Sequence, residues 1–278
     1  NSIGHRTASA ISSAKAEVVT IIDSRPESFG PWEQENVTKG IPIRWQSKVL
    51  NTRGRKHISG ALVGLINSQR QEWLGCDVLA ISGGFTPTIS LYGHTGGKLG
   101  WKEGQGTFVP DLSENNFTAV GLCNQDETLY ASLVNGYSAG QRAASNLGYR
   151  FDQVWSPTVI GDDLLATFDP MSPSIQDSQS RKAFVDFQND VTAADMSLAV
   201  REGYHSIEHV KRYTTLGMGT DQGKLGNLNG IELIANARGE AVQKVGTTRF
   251  RPPIIPTSMS AITGVLDEHL IHPIRRTA

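Results

Sequence analysis

The pattern of apolar and polar positions predicts parallel strands, an antiparallel insertion and then a set of helices. A helix-like stretch at residues 3–14 is followed by a continuous apolar, β-branched run at residues 18–22. This order is typical of a buried parallel strand that follows a helix. Short alternating runs at residues 41–45, 47–52 and 60–67 are separated by turn residues. They predict an antiparallel meander inserted between parallel strands.

A second buried strand is predicted at residues 76–82, and it runs into Gly83 and Gly84. Paired glycines after a strand suit a crossover between two nucleotide-binding domains, and they also suit a loop without a ligand. Asp23 closes the first predicted strand, where an acidic residue can bind a ribose hydroxyl. The Ser-Arg-Pro that follows is also consistent with a plain turn, so both interpretations of Asp23 remain.

Residues 117–124 predict another strand-to-helix turn around Gly121, leading into a helix rich in small residues at 128–146. A helix N-terminus attracts anions, so backbone N–H groups near Gly121 can bind a pyrophosphate. However, Asp126 and Glu127 lie in the approach to this helix. Because their carboxylates repel phosphate, we expect the site to be weakened or rearranged.

The chain changes to a helical pattern near residue 191. Thr192 and Asp195 have the spacing of a capping box at the start of a first helix. Ser206 is predicted to cap a second helix, which Gly217 ends. Apolar residues at three-residue spacing predict a third helix that ends at Gly239. These apolar residues are Leu225, Leu228, Ile231 and Ile234.

The passage at residues 211–224, between the second and third helices, carries the most informative chemistry. It combines cations, hydroxyls, a carboxamide and three glycines. Glycines allow the backbone to come close to a ligand, and hydroxyl and N–H groups can donate hydrogen bonds to its oxygen atoms. Lys or Arg can neutralise the negative charge of the ligand. The passage can therefore bind a phosphate. An ordinary glycine-rich helix C-terminus with solvated charges is the alternative. The candidate ligands are Lys211, Arg212, Thr214, Thr215, Gln222 and Lys224.

Composition narrows the function classes. The 26 basic and 27 acidic residues balance, which removes the electrostatic argument for a nucleic-acid or membrane-surface partner. No apolar run approaches the ~20 residues that cross a bilayer, and a cytoplasmic location is expected. Two cysteines exclude a four-cysteine metal site within this chain. His205 and His209 have i, i+4 spacing, but the predicted cap at Ser206 divides the pair, so no metal site is predicted.

Four segments together carry a family resemblance. They are residues 76–87, 184–191 (Phe-Val-Asp-Phe-Gln-Asn-Asp-Val), 211–224 and 248–253 (Thr-Arg-Phe-Arg-Pro-Pro). In these segments the chain resembles the alpha subunit of heterotetrameric sarcosine oxidases. The resemblance covers most of the chain and implies an internal fragment of that subunit.

The resemblance implies an α/β fold: a partial disulfide-reductase-like dinucleotide-binding region, then a small all-α domain. The expected divisions are a dinucleotide-binding region at 1–150, a connector at 151–181, a helical domain at 182–245 and the start of a folate-binding domain at 246–278. The helical domain is similar to a [2Fe–2S] domain of related amine dehydrogenases, whose four cysteine positions hold other residues here. Since Fe–S clusters need thiolate or occasionally imidazole ligands, no iron–sulfur cluster is expected. The corresponding residues are Asp186, Gln188, Asp221 and Gly226.

The resemblance also implies cofactors and partners. FMN would lie between alpha and beta subunits, attached covalently through beta, with its phosphate bound by the 211–224 candidates. NAD, without a redox role, would involve the dinucleotide-binding region, where Asp23, Gly83, Gly84 and Gly121 are the candidates. Tetrahydrofolate would bind the C-terminal domain, and gamma and delta subunits would complete the complex. Amine oxidation would take place at FAD in beta, so no catalytic residue is predicted in this chain.

Two alternatives stay open. The chain is a non-catalytic assembly module with vestigial nucleotide sites, or it belongs to an oxidase or dehydrogenase for another secondary amine. Flavin absorbance after co-expression with the beta subunit separates the first alternative from a cofactor-binding role. In such a complex the substrate is expected to contact mainly another chain. This sequence therefore does not decide which secondary amine is oxidised.

Overall fold

The structure is a computed structural model that describes residues 2–28, 30–111, 117–150, 155–161, 183–252, 254–255, 257–258 and 261–262. Two short 3₁₀ turns lie at Glu103–Gln105 and Gly121–Asn124. The helices are α1 (Ser2–Ser13), α2 (Pro31–Thr38), α3 (Ser90–His94), α4 (Leu129–Asn146), α5 (Ala193–Arg201), α6 (Ile207–Thr214), α7 (Asn227–Arg238) and α8 (Val242–Val245). The strands are β1 (Ile21–Ile22), β2 (Ile43–Arg44), β3 (Ser47–Gly54), β4 (Ile58–Leu65), β5 (Gln71–Leu74), β6 (Leu99–Lys102), β7 (Thr107–Pro110), β8 (Phe184–Asp186) and β9 (Val191–Thr192).

The chain divides into two compact units. One comprises residues 1–88 and 100–174, and the other comprises residues 89–99 and 175–278. Much of the predicted connector at 151–181 lies outside the described residues, so the boundaries inferred from the sequence stay predictions. Below, the second unit is called the helical unit.

The first unit begins with the predicted helix and parallel strand. α1 packs against α2, and β1 pairs in parallel with β2, with Ile21 opposite Ile43. The run at residues 41–45 was assigned to the meander, but its β2 residues pair with β1 instead. The Ile21 N–H donates to Pro42 O at 2.8 Å and the Asp23 N–H to Arg44 O at 3.0 Å, which fixes this register.

The predicted antiparallel meander is confirmed by β3, β4 and β5. Ser47 lies opposite Leu65 in the β3–β4 pair, and Ala61 lies opposite Leu74 in the β4–β5 pair. Alternation along β4 buries Ala61 and Val63, which are 5% and 4% exposed. One face of the sheet therefore packs inward while the other meets solvent.

The predicted strand at residues 76–82 is wrong. Residues 75–88 form neither strand nor helix, and Val78 and Ile81 are 77% and 85% exposed. A continuous apolar run becomes a buried strand only when other strands pair with it and helices cover it. None of the described residues pairs with this run. The strand predicted before Gly121 is also absent, because residues 117–120 have no paired neighbour.

The helical unit follows the predicted caps closely. Thr192 Oγ1 accepts from the Asp195 N–H, and the Asp195 carboxylate accepts from the Thr192 N–H at 2.8 Å, which completes the capping box. Ser206 Oγ accepts from the His209 N–H at the start of α6. α7 ends at Gly239, whose φ of 62° is left-handed. α5, α6 and α7 each bury apolar side chains to 0–1% exposure: Met196 and Ala199 on α5, Val210 on α6 and Ile234 on α7.

Two details of the helical prediction are wrong. α6 ends at Thr214, and its left-handed C-cap is Thr215 with a φ of 65°, so Gly217 does not terminate the helix. Thr214 Oγ1 donates to Val210 O at 2.8 Å and accepts from the Leu216 N–H, so its side chain adds two hydrogen bonds at the end of α6. Leu225, predicted to face inward on the third helix, precedes α7 and is 72% exposed.

Candidate functional site

The loop between α6 and α7 wraps around one buried side chain. We call residues 215–226 the glycine loop. Asn227, at the start of α7, donates through Nδ2 to Gln222 O at 3.0 Å and to Thr248 Oγ1 at 2.8 Å. Its Oδ1 lies so close to Gly217 and Gly223 that a Cβ at either position would collide with it. Glycine is therefore required here for space as well as for the left-handed backbone.

Replacing Gly223 with Ala is expected to lower the free energy of unfolding by about 2–3 kcal/mol. The φ of 74° is strained for a residue with a Cβ, and the added methyl group must displace Asn227. Gly239→Ala is the matched control, since Gly239 has a φ of 62° but open space around it. The control is expected to lose about 1–2 kcal/mol in chemical unfolding. Equal losses in the two variants would show that contact with Asn227 contributes nothing.

Of the four residues that the resemblance relates to cluster ligands, Asp186 and Gln188 hydrogen-bond to the glycine loop, and Asp221 and Gly226 belong to the loop itself. Asp186 Oδ2 accepts from the Gly217 N–H at 2.7 Å, and Gln188 Oε1 accepts from the Asp221 N–H at 3.3 Å. A Cβ at Gly226 would lie 2.6 Å from Val185 O, so the loop also approaches β8 through its backbone. These contacts hold the loop to β8 and to the residues that follow it.

Burial raises the pKa of the Asp186 carboxyl, but backbone hydrogen bonds outweigh burial. The N–H groups of Gly217, Asn189 and Gln188 hold that pKa below the ordinary aspartate value. Asp186 is therefore an ionised carboxylate that accepts from the loop backbone. Among the residues that the structure describes, no group of three or more His, Cys, Asp or Glu side chains is arranged for a metal ion.

Several of the predicted phosphate ligands bind the protein itself. Arg212 donates to Glu208 O at 2.6 Å and forms an ion pair with the Glu208 carboxylate at 3.2 Å. Thr214 bonds back to its own helix, as described above. Gln222 donates through Nε2 to Arg251 O at 2.8 Å and accepts from the Arg251 N–H at 2.7 Å. Lys224 Nζ donates to Ile254 O at 3.1 Å.

Lys211 differs from these residues. Within the described parts of the chain, its ammonium group has neither a hydrogen bond nor an ion-pair partner, although the side chain is half-buried. Burial lowers the pKa of Lys211, Glu208 opposes this effect, and Arg251 and Arg212 lower the pKa further. A half-buried ammonium without a partner among the described residues is suited to binding an anion. Thr215, exposed at the end of α6, adds a free hydroxyl.

The dinucleotide candidates are mostly engaged within the protein. Asp23 is 4% exposed, and its carboxylate accepts from His5 Nε2 at 2.9 Å and from Arg25. The Gly121 N–H donates to Asp126 Oδ2 at 2.7 Å, so an internal carboxylate takes the position predicted for an anion. This matches the expectation that the carboxylates near α4 rearrange the site. Gly83 and Gly84 lie in the irregular segment at residues 75–88.

One pocket of the helical unit is unsuited to an anion. It measures roughly 470 Å³ and lies beside the end of α6. Two carboxylates, those of Asp190 and Asp195, line it without a lysine or arginine. This pocket is therefore not the predicted phosphate site, and Lys211 remains the main candidate for binding a phosphate.

Sequence reasoning missed Arg251 and Asn227. Arg251 lies in the Thr-Arg-Phe-Arg-Pro-Pro segment, which served only to identify the family resemblance. Asn227 has the pattern of an ordinary polar residue at the start of a helix. The signal in the sequence for Arg251 was a second cluster of cations, Arg249 and Arg251, at 38 and 40 residues after Lys211. The signal for Asn227 was its position directly after a glycine-rich loop.

The described residues form a mixed α/β unit and a helical unit, and Lys211, which precedes the glycine loop in the chain, has no hydrogen-bond or ion-pair partner among them. Residues 180–265 match the family described as the Sarcosine oxidase A3 domain. Over its whole length the chain is 37% identical to the sarcosine oxidase subunit alpha of Rhizobium meliloti (strain 1021). It is 33% identical, over 95% of its length, to that of Corynebacterium sp. (strain U-96). The predicted resemblance to sarcosine oxidase alpha subunits is thus confirmed.

The chain spans 27% and 28% of the length of these two relatives. Among solved structures, L-proline dehydrogenase from P. horikoshii has a similar fold, with a TM-score of 0.62 and 20% identity. That similarity covers 88% of this chain and 50% of the other, and it confirms the mixed α/β architecture. The disulfide-reductase-like and cluster-less details stay predictions.

No helix in the described part of the chain has the length and apolar character needed to span a membrane. The cytoplasmic location inferred from the sequence stays a prediction.

Proposed function

We propose that this chain is the cofactor-binding part of a sarcosine oxidase alpha subunit, in a complex with beta, gamma and delta subunits. In this proposal the complex oxidatively demethylates sarcosine to glycine, forms hydrogen peroxide and transfers the one-carbon unit to tetrahydrofolate. The amine-oxidising site lies in beta, and this chain contributes cofactor and subunit contacts. The relationship to alpha subunits over the whole chain supports the proposal.

The single observation that carries a cofactor role is the half-buried ammonium of Lys211, which has no hydrogen-bond or ion-pair partner among the described residues. Its surroundings fit the phosphate of FMN, since Lys211 is half-buried and Arg251 and Arg212 act on it electrostatically. When bound, FMN supplies the means to accept electrons and pass them on. Lys211 would hold the phosphate and Thr215 would donate a hydrogen bond to it. Gln222 and Lys224 would shape the site by holding the neighbouring backbone.

The residues named for NAD fit a dinucleotide poorly. Asp23 is bound to His5 and Arg25, and the Gly121 N–H is bound to Asp126. We therefore assign no NAD contact to them. Most residues beyond 252 lie outside the described parts of the chain, so the proposed tetrahydrofolate domain has no assigned residue.

Replacing Lys211 with Ala is expected to lower FMN affinity about tenfold in the assembled complex, because a hydrogen bond to a charged group contributes about 1.5–3 kcal/mol. The measurement is flavin absorbance per complex, after co-expression with the beta subunit at limiting flavin. Lys244→Ala is the matched control, since Lys244 is an exposed lysine of the same unit and its charge is not among those that act on Lys211. Unchanged FMN content in assembled Lys211→Ala would remove this residue from the site.

The rival proposal is that the chain is a non-catalytic assembly module. It is supported by Asp23 and Gly121, which were candidates for dinucleotide binding but form hydrogen bonds within the protein. It predicts that wild-type complexes assemble normally and retain no FMN in the same absorbance measurement. A bound flavin in the wild-type complex would contradict it directly.

A further inference from the structure

The antiparallel meander of the first unit carries an excess of positive charge. Residues 47–74, which form β3, β4 and β5 with their turns, contain five lysines and arginines but one glutamate. Their net formal charge is +4 with histidine neutral, whereas the whole chain has a net charge of −1. The glutamate, Glu72, forms an ion pair with Arg44 of β2 at 2.6 Å. The residues of the meander therefore do not neutralise its own cations.

The turn between β3 and β4 places two of these cations at an exposed end of the sheet. Arg55, Lys56 and His57 form the turn, and all three are exposed. Within the described residues, neither the Arg55 nor the Lys56 side chain has a hydrogen-bond or ion-pair partner. The turn is tight, since a Cβ at Gly54 would collide with His57 O. The backbone thus presents two adjacent, uncompensated cations to solvent.

A third cation lies beside the turn, on the outward face of the sheet. The Arg53 guanidinium carbon is 5.0 Å from the centre of the Trp73 ring, and Trp73 is 42% exposed. Gly60, opposite Arg53, makes room for this arrangement, because a Cβ there would lie 2.8 Å from Arg53 Nε. A guanidinium stacked on a ring can still donate from its edge to a carboxylate. Arginine and tryptophan are also the residues that contribute most strongly to protein interfaces.

Charge complementarity favours an acidic protein surface over a nucleic acid as the partner. A nucleic acid presents its charge continuously, and tight binders make roughly 6–10 phosphate contacts. The meander offers three such cations, Arg53, Arg55 and Lys56. Because the whole chain has a net charge of −1 and the meander +4, the remaining residues carry −5 and repel a continuous polyanion. A local group of carboxylates on a folded protein avoids this repulsion.

We infer that Arg53, Arg55, Lys56 and Trp73, here called the basic tip, dock onto a carboxylate-rich surface of another subunit. This inference rests on the proposed function and deepens it, because it states the chemistry of one subunit contact. The contact is independent of Lys211, which belongs to the other compact unit. Charges at such a contact control the rate of association and its dependence on salt.

The test reverses the two charges of the turn in the complex assembled by co-expression with the partner subunits. Mass photometry on diluted samples gives the dissociation constant of the subunits. We expect Arg55→Glu combined with Lys56→Glu to raise this constant about tenfold at 100 mM NaCl. The difference is expected to shrink to less than about threefold at 500 mM NaCl, because salt screens exposed charges. Equal dissociation constants for the variant and the wild type at 100 mM would overturn the inference.

Two matched variants make the test specific to this surface. Lys15→Glu combined with Arg142→Glu changes the net charge by the same amount at exposed positions of the same unit outside the meander. We expect it to assemble like the wild type, and a loss equal to that of the turn variant would contradict a local contact. Arg55→Lys combined with Lys56→Arg keeps both charges. Its dissociation constant is expected to stay within about twofold of the wild type.

A further measurement decides between the two kinds of partner. The wild-type complex is titrated with a single-stranded DNA oligonucleotide of about 20 nucleotides at physiological salt, and fluorescence anisotropy reports binding. We expect no binding at micromolar concentrations. Binding that the charge reversal of the turn abolishes would overturn the inference in favour of a nucleic-acid partner.

The outcomes also separate the inference from the function on which it rests. If the wild-type chain forms no complex with the partner subunits, the proposed function fails. If the wild-type complex assembles and the turn variant assembles equally well at every salt concentration, only the inference about the basic tip fails.

Discussion

Replacing Glu232 with Gln is expected to stabilise the helical unit by about 3 kcal/mol above pH 8. Glu232 lies on α7, is 7% exposed, and its Oε2 has no hydrogen-bond partner among the described residues. Burial raises the pKa of this carboxyl to about 7, from an ordinary value of 4.5. Each pKa unit corresponds to about 1.4 kcal/mol of folding free energy. The rise in the pKa of Glu232 on folding therefore costs about 3 kcal/mol of stability once the carboxyl is ionised. Gln keeps the shape and removes the charge.

The pH dependence has a definite sign. Between about pH 4.5 and 7 the unfolded chain has lost the Glu232 proton while the folded unit retains it. The free energy of unfolding therefore falls as the pH rises through this window, and it is constant above it. Below pH 4.5 both states are protonated, so the variant and the wild type are expected to differ little.

The measurement is chemical unfolding at pH 4 and pH 8, followed by helical circular dichroism. Glu202→Gln is the control, because Glu202 is an exposed glutamate of the same unit. Its effect is expected to stay within about 0.5 kcal/mol at both pH values. The account of Glu232 is wrong if Glu232→Gln shows the same fall in stability between pH 4 and pH 8 as the wild type.

Replacing Arg25 with Ala is expected to lower the free energy of unfolding of the first unit by about 3–5 kcal/mol, because it leaves buried carboxylates without a cation. Arg25 binds Asp23 at 2.8 Å and Glu33 at 3.2 Å, and both carboxylate side chains are at most 2% exposed. Burial alone would raise the pKa of Asp23, but hydrogen bonds from His5 and Arg25 hold it far below the ordinary value.

Trp45 reports on this cluster, because its ring stacks on His5 with centroids 5.4 Å apart. Unfolding followed by tryptophan fluorescence is therefore a suitable measurement. Arg44→Ala is the control, since the Arg44–Glu72 pair is 38% and 55% exposed. Exposed pairs contribute about 0–1 kcal/mol, so the control is expected to lose no more than that. Similar losses in the two variants would contradict a special role for the buried cluster.

The cluster also gives an alternative account of Asp23. From the sequence, Asp23 was a candidate ribose ligand because it closes a strand. In the structure its carboxylate joins α1, through His5, to the turn that contains Arg25. The ribose role stays a prediction, and a ribose would have to compete with these two partners.

Local signals in the sequence predicted the helical unit well. The capping box at Thr192, the cap at Ser206 and the glycine end at Gly239 each depend on residues within one turn of a helix. The meander was predictable for a similar reason, since alternation and turn residues act over a few positions. The strand at residues 76–82 was not, because a buried strand requires partners that its own residues do not specify.

The sequence by itself determined the cationic, glycine-rich character of the loop, the absence of thiolates at the positions that the resemblance relates to cluster ligands, the start of α5 and the end of α7. These properties depend on residue types or on neighbouring positions in the chain, so they can be predicted without knowing the fold. Only the tertiary structure decided which cations remain available: Gln222 and Lys224 bind backbone carbonyls about 30 residues away, while Lys211 stays unpaired among the described residues. The physical reason is that hydrogen-bond partners distant in sequence meet only when the chain folds. The free energy of each charge then depends on those partners and on its burial.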